Sequence, residues 1–437
     1  MMDVLHILNH YLKARYLHSF RDRKALEHFQ KRKFEAFRKR VLSKTDFYKP
    51  YLNSSLAEFP IMDKQSCREN FASLNTLGIQ FGDAYDLAQQ ATVKGQGSAR
   101  LDDITIGMST GTTGNRGLFL VSSHERQRWL GTILAKALPD SILKPQRIAL
   151  MLAANSDLYN TARQNPHFQI RFYDLSEGLD CHLPQLEAFA PTILIGTAQA
   201  LTYLATARAQ HEITFTPRKI ISGGEVLDPQ DQQLIEQAFG LHVDQIYQCT
   251  EGFFGVSCEH GSIHLAEDCV LFEKEWIDEN KRKFVPLVTD FSRDTQALVR
   301  YRMNDILTER LEPCPCGSPL TAICRIEGRS DDCFLIPNFS GMQMTTILPD
   351  VIRNTVIDCS STINDFRVHQ LTPQLIEIQL PANSPDEIEQ LVMDKLGQLI
   401  EGLGCLKPEF KLTRGIEASA AHKLRRVKRC FKEGEVI

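Results

Sequence analysis

Between residues 147 and 250 apolar runs alternate with amphipathic ones. RIALMLA and QIRFYDL read as strands, QLEAFA as a helix, PTILIGTA as a strand and ALTYLATARAQ as a helix. RKIISGGEVL reads as a strand ending in glycines, PQDQQLIEQAFG as a helix, and HVDQIYQCTEG as a further strand. Strands alternating with helices predict an α/β domain with mostly parallel sheet. Ligands of such sheets gather at the carboxyl ends of the strands. Upstream, residues 1–50 place Leu, Tyr and Phe at helical spacing among many Lys and Arg. FPIMDKQSCRENF (59–71) reads as a turn and a helix capped by Asp63, and residues 104–108 and 118–123 as short strands. Ser123 is then placed to cap a helix through HERQRWLGTILAKAL. Residues 263–312 are more β-rich. The polar turn EGRSDD (327–332) suggests a boundary, with a large domain over 1–330 and a small α+β domain over 331–437.

Composition narrows the class. The chain has 437 residues, 43% hydrophobic and 24% charged, as in soluble globular proteins of two or three domains. A net charge of −4 gives no global field toward nucleic acid or membrane. No apolar run approaches the ~18 residues of a membrane span, and the first twenty residues carry charges where a signal peptide is apolar. A cytoplasmic enzyme with no membrane and no nucleic-acid partner is expected. The twelve cysteines are mostly dispersed as single thiols, which suits a reducing compartment. The exceptions are CEHGSIH (258–264) and CPCG (314–317).

MSTGTTGNRG (108–117) has too little apolar bulk to be core. Ser109, Thr110, Thr112 and Thr113 offer hydroxyls, Gly111, Gly114 and Gly117 allow backbone N–H groups to approach an oxyanion, and Arg116 adds charge. This is the chemistry of a phosphate cradle, although the Gly-Lys of a Walker loop is absent; a flexible hairpin loop is the plainer alternative. Four further segments follow in order: GGE (223–225), YQCTEG (247–252), TDFSRDTQALVRYRMNDI (289–306) and GRSDD (328–332). Together the five resemble the motifs of the adenylate-forming superfamily of acyl-CoA synthetases, adenylation domains and luciferases. FPIMDK and GSIHLAED resemble motifs of its phenylacetate–CoA ligase-like branch, which is close to synthetases that adenylylate a deazaflavin coenzyme.

The resemblance implies attack of a carboxylate on the α-phosphate of ATP, aided by Mg²⁺, and a C-terminal domain that moves between half-reactions. It implies phosphate binding by Ser109, Thr110, Gly111, Thr112, Thr113 and Gly114. Adenine contacts fall to Gly223, Gly224, Glu225 and Tyr247. Thr250 would donate to the α-phosphate and Glu251 would bind magnesium. Asp305 would hold the ribose hydroxyls, and two acceptor oxygens suit a diol. Arg329 would reach ribose or phosphate, and Asp331 matches the hinge. Lys423 takes the place of the catalytic lysine, with Lys428 as runner-up, in a tail whose residues 411–432 hold eight Lys or Arg and one Glu. The chain departs from the family pattern at Asn115-Arg116, where Pro-Lys is usual, and at Gln248 and Asn304, where glycine is usual.

Cys258, Cys314 and Cys316 with one histidine make a closed tetrahedral zinc set. Related ligases resemble this, and the family's Gly-x-His favours His264 over His260. Ordinary loop cysteines are the alternative. The acid-pocket candidates are Gly196, Thr197, Ser222, Phe253 and Phe254. The two phenylalanines point to an apolar or aromatic acid, or else to core packing. Coenzyme A is the majority acceptor in this branch. Transfer to an amine, adenylylation of a coenzyme, and a nucleotide-binding relative without catalysis are the alternatives, and a homodimer is compatible with all of them.

Overall fold

The computed structural model describes residues 2–93, 98–108, 117–138, 144–152, 168–360, 362–363, 365–416 and 424–432. The chain forms two compact units, one of residues 1–303 and 308–325, the other of residues 304–307 and 326–437.

The first unit is built on a twelve-stranded sheet among the described residues. One half is parallel: Phe168–Asp174 at the edge, then Gln146–Leu152, Ile193–Gly196, Lys219–Gly223 and Val243–Cys249. These are the apolar runs of the sequence. The inner strands Gln146–Leu152, Ile193–Gly196 and Lys219–Gly223 are largely buried, so they read as continuous rather than alternating. After Cys249 the chain reverses and the sheet continues antiparallel through Gly252–Ser257 and Ile263–Leu265. Beyond these come Ala322–Arg329, Asp305–Glu309, Lys283–Asp290 and Val270–Trp276, the β-rich stretch of the sequence. On one face Ile148, Leu150, Ile170, Ile193, Ile221 and Phe253 pack against Ile133, Ala137 and Leu138 of the helix Ser123–Ala137. Each such side chain contributes about 1.5–3 kcal/mol by leaving water. A separate antiparallel sheet of Ala99–Leu101, Ile104–Met108 and Leu118–Ser122 carries the chain into and out of the glycine loop.

The cap of the helix Ser123–Ala137 is Ser122, one residue earlier than expected. Ser122 and Glu125 form a reciprocal capping box, while the Ser123 hydroxyl turns to Asp103. Asp63 caps its helix as expected, accepting from Ser66 N at 2.7 Å. The N-terminal helical stretch is split into Met2–Leu12, a π-turn over Lys13–Leu17, and Arg23–Arg40 capped by Asp22. The first of these crosses the helix Ser123–Ala137 at Gly131, where a Cβ would lie 2.5 Å from the Ile7 carbonyl oxygen.

The second unit holds a four-stranded sheet in the order Glu409–Arg414, Leu375–Leu380, Arg367–Thr372, Val427–Arg429. Leu375–Leu380 alternates half-buried and buried positions, so one face is core. Ile376, Ile378 and Val368 on that face meet Ile352 and Val356 of the helix Pro349–Ile357 and Leu396 and Ile400 of the helix Asp386–Gly402.

Candidate active site and metal centre

The carboxyl ends of the parallel strands carry two of the motif segments, GGE and YQCTEG, together with Gly196 and Thr197. Lys219–Gly223 runs beside Val243–Cys249, with Gly223 opposite Ile246. A Cβ on Gly223 would lie 2.5 Å from Ile246 Cγ2, and Gly224 has φ +81°, so both positions require glycine. Glu225 accepts from Gln199 N at 3.1 Å and Gln199 Nε2 at 2.9 Å, at the start of the helix Ala198–Ala209. Thr197 caps the same helix, accepting from Ala200 N at 3.3 Å. Both oxygens thus face the positive end of that helix. Ser222 is buried, and its hydroxyl has no hydrogen-bond partner among the described residues.

Tyr247 is buried, its ring 5.5 Å from that of Phe254, which is itself packed on Phe272. Phe253 points to the opposite face and joins the core against the helix Ser123–Ala137. The pairing shifts register between Tyr247 and Gln248. Two residues later the strand ends in a two-residue turn, Thr250–Glu251, before Gly252 pairs back with Cys249. Thr250 and Glu251 therefore stand at the tip where the sheet changes from parallel to antiparallel. A Cβ on Gly107, in the strand leading to the glycine loop, would be 3.7 Å from Thr250 Cγ2.

Two residues to which sequence reasoning gave no role, Arg293 and Tyr301, fix this tip, and a third, Lys64, lies nearby at Gly117 beside Tyr301. Arg293, which is 2% exposed, donates from Nη2 to the Glu251 carbonyl; its guanidinium lies 5.4 Å from the Trp129 ring and 3.5 Å from Asp290. Tyr301 Oη is 3.4 Å from Glu251 Oε1 and donates to it. Burial, and next the Glu251 charge, push the Tyr301 phenol well above its ordinary value, so it remains a donor. Lys64 reaches the exit of the glycine loop, its Cε 3.0 Å from a Cβ built on Gly117. Lys64, Arg68, Gly117 and Tyr301 line one small cleft with Cys67. All three lie in motifs already singled out, Lys64 in FPIMDK and Arg293 and Tyr301 in the 289–306 segment, but none was given a role there. Residues 109–116 and Lys423 lie outside the described residues.

In the second unit Asp305 opens the strand Asp305–Glu309. Arg329 Nε lies 3.4 Å from Asp331 Oδ1. Asn304, where glycine is usual in the resembled motif, donates from Nδ2 to Asp331 at 3.3 Å, and its carbonyl accepts from Ser330 N at 2.6 Å. Asp332 accepts through both carboxylate oxygens from Nε and Nη2 along one edge of the Arg425 guanidinium. Lys428 lies mid-strand opposite His369.

The cysteine segments converge. Cys258, His264, Cys314 and Cys316 place one ligand atom each within 4.8 Å of one another. Cys258 Sγ and Cys314 Sγ are 3.6 Å apart, and Cys316 Sγ is 3.2 Å from His264 Nε2. A zinc ion bonded at about 2.3 Å separates tetrahedral sulfurs by about 3.8 Å, so the set fits that ion. His264 Nδ1 faces the Leu320 carbonyl at 3.1 Å, which turns the Nε2 lone pair toward the sulfurs. His260 enters only through its backbone N–H, on the Cys258 sulfur; the Cys316 and Ser318 N–H groups do the same for Cys314 and Cys316. Gly261 and Gly317, at φ +74° and +72°, close the two turns. Burial pushes the Cys314 thiol up, but the Cys316 N–H, His264 and Ser262 outweigh it and hold it at about 6. Glu177, Cys181 and His182 form a looser group, in which His182 Nε2 already meets the Asp174 carbonyl at 2.9 Å.

Parallel strands feeding an antiparallel half, with a smaller α+β unit following, define the fold of the adenylate-forming ligases. The 2-hydroxyisobutyryl-CoA ligase in its postadenylation state with R3-HIB-AMP superposes with a TM-score of 0.61 at 16% identity, over 97% of this chain and 88% of that one. The amide bond synthetase McbA from Marinactinospora thermotolerans gives a TM-score of 0.52 at 15% identity, over 74% of this chain and 68% of that one. In sequence, 197 residues, 44% of this chain, are 28% identical to Protein CapK of Staphylococcus aureus, a match that spans 43% of that protein's length. No protein-family model matches the chain.

Proposed function

We propose that this chain activates a carboxylic acid with ATP, releasing pyrophosphate, and then passes the acyl group to coenzyme A. The observation that carries the reading is the Thr250–Glu251 turn. It puts an acidic residue, its carboxylate held by Tyr301 and its backbone carbonyl by Arg293, at the carboxyl edge of the parallel strands. The fold is shared with a ligase captured with acyl-AMP and with 2-HIB-AMP plus CoA.

In the first half-reaction a carboxylate oxygen bonds to the α-phosphorus while the bond to the pyrophosphate oxygen breaks. Two anions meet, so the site must supply donors and positive charge. The hydroxyls and N–H groups of residues 109–114 would cradle the phosphates, and Thr250 would donate to the α-phosphate. Lys64, at the loop exit, would supply the charge that Pro-Lys gives elsewhere. Glu251, a hard oxygen ligand on a tight turn, fits magnesium, which when bound neutralises phosphate charge. Gly223, Gly224, Glu225 and Tyr247 would frame the adenine, Asp305 the ribose, and Arg329 ribose or phosphate. Lys423 would reach the reacting centre from the second unit, swinging about Asp331. Ser222 offers the acid a buried donor, with Thr197 and Phe254 as further pocket candidates, while Phe253 packs into the core on the other face of the sheet. In the second half-reaction the thiolate sulfur of coenzyme A bonds to the acyl carbon and AMP leaves. Cys258, His264, Cys314 and Cys316 would hold a structural zinc, closed to substrate because all four ligands are protein atoms.

The test is pyrophosphate release with ATP, Mg²⁺ and a panel of aryl, alkyl and hydroxy acids, with and without coenzyme A. Acid-dependent release, lost in Glu251→Ala and Lys423→Ala, is expected, and coenzyme A should accelerate turnover. Release that an amine accelerates instead would move the second step to amide formation. No release with any acid, alongside tight ATP binding, would leave a nucleotide-binding protein.

A further inference from the structure

The outward side of the N-terminal helix is apolar. Val4, Leu5 and Leu12 are 63%, 60% and 45% exposed, and Tyr16 and Leu17 on the next turn are 61% and 70% exposed. At about 100° per residue, Val4, Leu5, Leu8, Leu12 and Tyr16 share one arc. Ile7, His10 and Tyr11 lie on the opposite arc, which contacts the helix Ser123–Ala137. The exposed stripe is therefore not the one that docks the helix to its own protein.

Charge accompanies it. Residues 1–44 hold twelve Lys or Arg against four Asp or Glu, in a chain whose total is net −4. Some are used internally: Arg15 donates to the Ala135 carbonyl, Arg23 to Glu267, Arg38 to the Leu52 carbonyl and Arg40 to Asp294. Lys13, Lys24, Lys31, Arg32 and Lys39 are exposed. On the helix Arg23–Arg40 the last four recur at spacings of seven, one and seven, which keeps them on one side.

We infer that this segment is a peripheral docking surface for an anionic lipid bilayer. The aliphatic stripe enters the boundary between headgroups and acyl chains, and the exposed lysines and Arg32 meet lipid phosphates. Docking is peripheral, because no helix among the described residues is long and apolar enough to cross a membrane. Nucleic acid would use the charge and leave the aliphatic side chains in water. A second copy would bring the same excess of positive charge against this one.

The experiment floats the full-length protein with vesicles of phosphatidylcholine alone and of phosphatidylcholine mixed with phosphatidylglycerol. Flotation is expected with the mixed vesicles only, weakening as salt rises. Leu5→Glu/Leu12→Glu, on exposed positions, should lower it about tenfold or more while the melting temperature and pyrophosphate release stay at wild-type values. No flotation with mixed vesicles at low salt would overturn the inference. So would flotation that the double variant leaves intact, which would reduce the effect to charge alone. If the variant instead converts a dimer to a monomer and vesicles bind neither form, the stripe belongs to a second copy.

Discussion

The metal cradle and the strand-end segments hold their polar groups in opposite ways. In the cradle the four ligand atoms converge on one another, and backbone N–H groups from His260, Cys316 and Ser318 stabilise the sulfurs from behind. At the strand ends three oxygens turn to protein partners, Thr197 and Glu225 to a helix start and Glu251 to Tyr301, while the buried Ser222 hydroxyl has none among the described residues. The cradle is shaped to close on an ion without rearrangement. The strand ends do not converge on one point: Thr197, Glu225 and Glu251 are held apart by separate partners, and Ser222 is left with its hydroxyl unpaired among the described residues. A site meant to stabilise a fold can be complete in itself. One meant to turn over must leave its reacting volume empty and keep its groups oriented by other means.

The largest test removes a cradle ligand. Cys314→Ser should take the metal content of the purified protein from one zinc per chain to none, by elemental analysis. It should also lower unfolding stability by on the order of 4 kcal/mol or more, since metal affinity is folding energy at a closed site. Unchanged stability would make the cradle ornamental and void the comparison. A smaller effect belongs to the open side. Lys64→Ala should lower kcat/KM for ATP about a hundredfold and leave the denaturation midpoint within error, because the change removes charge beside Gly117 and no core contact. Equal losses of activity and stability would mean the strand ends are prebuilt too.

The smallest effect sharpens the contrast with the N-terminal layer. Burial first, then the Arg128 charge, holds His10 at about 4, below its ordinary 6.5. His6 and His124 crowd the same space, and Asp294 lies 3.8 Å from His124. A base whose folded value is lowered adds stability above its unfolded value and loses it as pH falls. Docking of the helix Met2–Leu12 should therefore loosen between pH 6.5 and 4, seen as faster amide exchange there after correction for the intrinsic rate. His10→Gln should remove most of that dependence.

The fold was largely legible because its parallel half is made of local signals. RIALMLA, PTILIGTA and RKIISG are apolar runs, the last two ended by glycine or a cap, and each became a strand of the sheet. The three cradle cysteines stood out by their clustering and His264 followed from the resembled Gly-x-His, although 56 residues separate Cys258 from Cys314. What could not be read was everything set by partners distant in sequence. Arg293 and Tyr301 lie within an expected motif, yet their bonds to Glu251 cross more than forty residues. Phe253 and Phe254 were read together, as acid pocket or as core; they face opposite ways, one meeting a helix and the other Tyr247 and Phe272. Ser122 and Ser123 were separable only by Glu125, whose carboxylate also accepts from Thr295 and so belongs to a network of sequence-remote groups.

The turn between Cys249 and Gly252 has a consequence for descent. Only two residues span it, and the register shift just before it sets which way they face. One inserted residue would rotate Glu251 off Tyr301 and Arg293 while leaving every strand intact. Composition there can drift, as Gln248 does, but length cannot. A lineage that kept the fold and gained a residue in this turn would keep its shape and lose its chemistry.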